Sequence, residues 1–142
     1  MSELYELINI AGRGDFAMPY TPAIRVTGGS PLYLAGVTAA PVYHSHPHVA
    51  AEFDGIPLDP VAQAELAVDN LEAVLGAAGC DLSHLVEVTR YIKDIDANQD
   101  ALNRVMGRRM GEHRPASTTV EVTRLATDPR LLFELKAVAV AP

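Results

Sequence analysis

Tryptophan is absent from this chain, and Phe and Tyr bring the aromatic share to only 6%. Proteins that hold single-stranded nucleic acid set aromatic stacking platforms in basic grooves. This chain has few aromatics and a formal net charge of -7 at pH 7. That balance argues against a nucleic-acid backbone or an anionic membrane as the main partner. Cysteine is nearly missing as well. Cys80 stands alone, so an internal disulfide and any CxxC redox or metal motif are excluded. A lone thiol fits a reducing compartment, and its exposure is left open. No apolar run reaches the roughly 20 residues that cross a bilayer. The first ten residues lack the basic-then-apolar order of a signal peptide. A soluble cytoplasmic protein without cofactor or metal is the expectation. The tripeptide Arg13-Gly14-Asp15 is too short to carry an adhesion function.

What is present suits a folded core. Of 142 residues, 49% are hydrophobic, and no repeat or composition break divides them, so one domain over 1–142 is expected. Residues 114–139 organise the rest. They read as two strands joined by a short turn, and in the second Leu131, Phe133, Leu135, Ala137 and Ala139 alternate with Leu132, Glu134, Lys136, Val138 and Val140. Strict alternation gives each set its own sheet face. Both sets are largely apolar, so Glu134 sits where an unpaired charge is costly. Such a carboxylate is either held by a structural partner or kept for proton transfer at a raised pKa.

Upstream, residues 4–10 read as an edge strand, and 24–27 and 32–37 as strands joined by a Gly28-Gly29-Ser30 hairpin turn. Gly36 near a strand end signals a bulge or a close backbone approach. Asp59-Pro60 opens a helix and Gly79 closes it. Its apolar positions follow helical spacing, leaving Asp69 and Glu72 on a solvated face. Residues 85–92 form a strand in which Val86, Val88 and Ile92 alternate with Glu87, Thr89 and Tyr91. A second helix covers about 97–110, with Asn103 near its inner face and Arg104, Arg108 and Arg109 on a solvated face or subunit contact. The order β–β–β–α–β–α–β–β predicts an α+β fold: two helices on one face of a mostly antiparallel sheet. The other sheet face is also apolar enough to need a partner, so a symmetric oligomer is expected.

Residues 41–57 are the longest irregular stretch and hold His44, His46 and His48. Alternate positions in an extended segment point the same way, which permits convergence on a metal. The usual wider spacing between ligand pairs is missing. A polar surface or pocket-rim loop is the favoured reading.

Several pieces match one family: Pro19-Tyr20, Leu34-Ala35-Gly36, Gln63, Asn70-Leu71, Ala77-Ala78-Gly79, residues 88–94, Asn103, Pro115-Ala116, 118–125 and 134–139. Along nearly its full length the chain resembles the RidA/YjgF family of enamine/imine deaminases. The resemblance implies a chorismate-mutase-like α+β subunit, a homotrimer, and small-molecule clefts between neighbouring subunits. It implies that Glu134 activates a water against an imine carbon, that Tyr20 and Asn103 line and hydrogen-bond the site, and that Gly36 admits the substrate. Three positions depart from the pattern. Ser117 stands where the family carries the Arg that grips a 2-imino acid carboxylate, Thr119 replaces a Cys, and Ala35 replaces a Ser. Ser117 and Thr119 offer single neutral hydrogen bonds in place of a bidentate clamp.

The expected function is therefore hydrolysis or deamination of a small imine, enamine or related compound other than a standard 2-imino acid. Family members acting on aminomuconate-type compounds supply the precedent. The alternative is a non-catalytic ligand-binding or regulatory trimer. Ribonuclease activity, sometimes attached to the family, fits the charge poorly and ranks third.

Overall fold

A computed structural model describes residues 3–14 and 16–142; Asp15, which ends the Arg13-Gly14-Asp15 tripeptide, lies outside them. The elements are β1 (Tyr5–Ile8), β2 (Ala23–Val26), β3 (Ser30–Tyr33), α1 (Pro60–Ala77), β4 (Leu85–Lys93), α2 (Ile95–Met110), β5 (Ala116–Val122) and β6 (Phe133–Ala141). Short 3-10 turns sit at Ala50–Phe53 and Leu82–His84. The fold is α+β, and its element order is the expected one.

Strand partners differ from the sequence reading in two places. Gly28-Gly29 does not close a hairpin: β2 pairs with β1 in a two-stranded sheet, while β3 pairs with β6. Gly29 adopts φ +68, and a Cβ there would lie 2.3 Å from the Ala141 carbonyl oxygen. The chain thus turns tightly against the end of β6 and passes into a second sheet. Nor do β5 and β6 pair, although they are neighbours in sequence. The main sheet runs β3-β6-β4-β5, with β4 antiparallel to β6 and parallel to β5. The β4–α2–β5 crossover imposes that parallel pair, since a helix between adjacent strands returns the chain in the same direction.

The register decides which residues share a face. Val88 lies opposite Ala137 and Ser117, and Arg90 opposite Leu135 and Thr119. On the other face, Tyr91 lies opposite Glu134 and Val120. Both helices cover the first face. Ala64, Val68, Leu71 and Leu75 of α1 and Leu102 and Val105 of α2 pack there with Val88, Ile92, Phe133, Leu135 and Ala137. Each fully buried Leu in this layer contributes about 1.5–3 kcal/mol. Cys80 is buried in the same layer. A bulge between Leu85 and Glu87 breaks the β4 alternation. Val86 consequently joins Tyr5 and Val140 in a separate cluster under β1 and β2, not Val88 and Ile92 as expected.

α1 starts as read: the Asp59 carboxylate accepts from Ala62 N–H at 2.9 Å. Its charged face is not simply solvated. Arg109 of α2 donates to Glu65, Asp69 and Glu72 at 3.1, 2.8 and 2.8 Å, and Arg108 pairs with Glu65. These ion pairs fasten the two helices together along their outer edge. On the far face of the sheet, Val120 and Tyr33 remain exposed. No helix among the described residues is long and apolar enough to cross a membrane.

Candidate functional site

Glu134 projects from β6 on the face away from the helices. Beside it, the chain after β3 breaks its ladder. Leu34 N–H donates to Ala137 O at 3.1 Å, and Val37 exchanges bonds of 2.9 and 2.8 Å with Leu135. Ala35 and Gly36 sit between these contacts as a bulge. A Cβ on Gly36 would lie 2.3 Å from Glu134 Oε2 and 3.0 Å from its carboxyl carbon. The carboxylate therefore rests against bare backbone, the close approach that the position of Gly36 suggested. Burial pushes the Glu134 pKa above its ordinary 4.5, because desolvation disfavours the charged form. Among the described residues Glu134 has no hydrogen-bond or ion-pair partner. Since no buried side-chain N or O atom goes unpaired, its oxygens open onto accessible space.

Gly36→Ala should displace that carboxylate while sparing the fold, because the obstructing atoms end a flexible side chain. We expect a melting temperature within a few degrees of wild type and a loss of at least about tenfold in any Glu134-dependent rate. Thermal unfolding and turnover, measured side by side, check this.

A cleft of about 730 Å³ opens on the helix side of β5, between α2, β4 and the 17–20 segment. Tyr20, Asn103, Ser117 and Thr119 line it, together with Arg90 and Arg114. The 17–20 segment is held in place from below: Thr21 N–H donates to Pro115 O at 3.2 Å, and its hydroxyl donates to Arg114 O. Among the described residues no Asp or Glu lines the cleft, although the chain carries 18 acidic residues. Arg90 donates from Nε to Thr119 Oγ1 at 2.9 Å and from a terminal nitrogen to Asn103 Oδ1 at 2.8 Å. Those two bonds use two of the five N–H donors of a guanidinium. Desolvation lowers the Arg90 pKa, and the group remains charged at any physiological pH.

The expected site residues thus fall into two groups. Glu134 and Gly36 lie together; Tyr20, Asn103, Ser117 and Thr119 share the cleft on the opposite face of the same sheet. A single chain does not unite them. The expectation of a cleft without a guanidinium needs correction. Ser117 does leave β5 without one, but Arg90, one strand over, brings one to the same place. The sequence carried a signal for it. Arg90 has the parity of Val88 and Ile92, so it is a charge on the buried side of an alternating strand.

Gln63 and Asn70 are structural. Gln63 is fully buried and donates to Pro57 O and Arg130 O, each at 3.1 Å. The amide of Asn70 holds Thr38 O at 2.7 Å and Ala40 O at 2.8 Å. The 41–57 loop contributes nothing to the cleft wall, so it is not the rim of that cleft within one chain. It does draw His44, His46 and His48 together.

Two helices over one face of a mixed sheet, with a carboxylate against a glycine bulge, define an α+β subunit of the Rid type. The family model described as Endoribonuclease L-PSP matches residues 15–141, and the chain belongs to that family, the RidA/YjgF group. The protein DfrA of Myxococcus xanthus is 34% identical over 123 residues, covering 87% of this chain and 86% of its own. A 2-iminobutanoate/2-iminopropanoate deaminase of Escherichia coli is 34% identical over 88 residues, 60% of this chain and 66% of its own. Among solved structures, the Rid-family protein YyfB of Yersinia pestis superposes with a TM-score of 0.75 at 25% identity, covering 96% of this chain and 98% of its own.

Proposed function

We propose that this protein is a homotrimeric hydrolytic deaminase of small imines or enamines bearing an acidic group. Its single domain spans 1–142, and each active site is shared by two protomers. The observation that carries the reading is Glu134: a carboxylate of raised pKa, without a partner, lying against Gly36 on a sheet face whose neighbours Val120 and Tyr33 are uncovered. A second copy docked on that face would bring its own Tyr20–Asn103 cleft to the carboxylate. The cleft's cations in an acidic chain favour an anionic substrate.

In the step assigned to Glu134, the carboxylate takes a proton from water as the water oxygen bonds to the carbon of the protonated imine. Glu134 then hands that proton to the nitrogen of the resulting carbinolamine. The C–N bond breaks with its electron pair going to nitrogen, while the carboxylate takes the hydroxyl proton as the carbonyl forms; that proton leaves with ammonia as ammonium, and the carboxylate is restored. Asn103 and Tyr20 orient substrate or water; Gly36 leaves room for the reacting atoms; Ser117 and Thr119 give neutral hydrogen bonds. No cofactor or metal takes part. A cytoplasmic setting belongs to this reading and rests on the lone, buried Cys80. An RNA substrate is disfavoured by the net charge of -7 and the absence of Trp. A non-catalytic ligand-binding trimer remains the second reading, supported by Ser117 standing in the position of the family Arg.

Mixing two inactive variants tests the shared site. Glu134→Gln loses the base, and Thr119→Phe fills the cleft. In randomly reassembled trimers, about a quarter of sites should combine an intact Glu134 from one protomer with an open cleft from another. Activity recovered to about that level after co-refolding supports a site between chains. No recovery in verified mixed trimers would sink it.

A further inference from the structure

His44, His46 and His48 fall outside the deaminase reading, and their arrangement is independent of it. Their ligand nitrogens all lie within 4.8 Å of one another. The ring centroids are 4.8, 5.3 and 4.9 Å apart. Three side features point the same way. His44 Nδ1 lies 2.7 Å from Pro41 O. A carbonyl only accepts, so Nδ1 carries the hydrogen and Nε2 presents its lone pair, the tautomer that a metal ligand needs. Phe53, buried among Ile56, Leu125 and Leu131, meets the rings of His44 and His48 edge-on at 5.3 and 6.1 Å. It ties the cluster to a packed base. The Glu52 carboxylate accepts from Ser45 N–H at 3.0 Å, which fixes a negative charge between the first two histidines.

We propose that His44, His46 and His48 form a three-imidazole site for a divalent transition-metal ion of the zinc class. Imidazole nitrogens suit such ions. Tetrahedral bonds of about 2.0–2.1 Å place the nitrogens roughly 3.3 Å apart, so the rings must close by about 1.5 Å from the present spacing. His46 and His48 are exposed and free to turn. Water completes the fourth position. Bound metal would pin the 41–57 loop across its middle.

The test uses tag-free, chelator-stripped full-length protein titrated with Zn²⁺ by calorimetry. Saturable binding of about one ion per chain is expected, with His44→Ala, His46→Ala and His48→Ala each weakening it at least about tenfold. His84→Ala, outside the cluster, should leave it unchanged. X-ray absorption on the loaded wild type should report three imidazole nitrogens. Failure of saturable binding, binding that survives the triple alanine variant, or a spectrum without imidazole scattering would each overturn the proposal.

Discussion

Glu134→Gln is expected to lower turnover of an imine substrate by about 10²–10⁴-fold, the usual worth of a positioned general base, with the assembly intact. Gln is isosteric, and Glu134 has no ion pair to break. Stability should move the other way. Desolvation raises the folded-state pKa above 4.5. The stability this confers is present below the unfolded pKa and is lost as pH rises through the folded one. At neutral pH the wild type therefore keeps a destabilising buried charge that Gln lacks, and the variant should melt at the same temperature or slightly higher. The same shift gives the wild type an acid limb: activity climbs with pH through a value above 4.5, and residual activity of the Gln variant lacks that limb. Turnover, melting temperature and a pH–rate profile on the two proteins decide it. A Gln variant that works at the wild-type rate removes the mechanism.

Local signals in the chain were readable; choices of partner were not. Asp59-Pro60 and Gly79 marked the ends of α1 because capping is decided within a turn of chain. The alternation in β6 placed Leu135 and Ala137 opposite Glu134 correctly, since side-chain direction is a local property. Which strand pairs with which depends on contacts far apart in sequence. Gly28-Gly29 therefore suggested a hairpin that the close pass of Gly29 over Ala141 replaces. The bulge at Leu85/Glu87 flipped Val86 to the other face for the same reason. The half-sites were legible by type but not by place. Glu134 and Gly36 proved neighbours, and Ser117 and Thr119 proved to share a cleft with Asn103. That the two groups occupy opposite faces of the sheet follows only from the register. Arg90 reaches the cleft only through the β4–β5 pairing that sets it opposite Thr119, a contact between residues far apart in sequence. The alternate spacing of His44, His46 and His48 permitted their convergence, and the loop does bring them into one cluster.

Arg90→Gln should separate the two roles open to that side chain. As an anchor for the acidic group of the substrate, it makes charge-assisted hydrogen bonds worth about 1.5–3 kcal/mol. The variant should then lose roughly 10- to 150-fold in kcat/KM on acid-bearing imines, mainly through KM, and almost nothing on neutral imines. Arg90→Lys should recover part of the loss, as a charge without the planar fork. Simple dicarboxylates should inhibit the wild type and not the Gln variant. If Arg90 serves only to hold Asn103 and Thr119, its loss should depress kcat on neutral and acidic imines alike. Its place also bears on substrate length. The guanidinium is rooted on β4, about 4.8 Å across the sheet from β5, and is drawn toward Thr119 and Asn103. A carboxylate held there sits differently from one gripped at position 117. Turnover of 2-iminopropanoate should accordingly fall below that of longer acid-bearing imines. Fast turnover of 2-iminopropanoate that is indifferent to Arg90→Gln would place the anion elsewhere in the cleft, with Arg114 the next candidate.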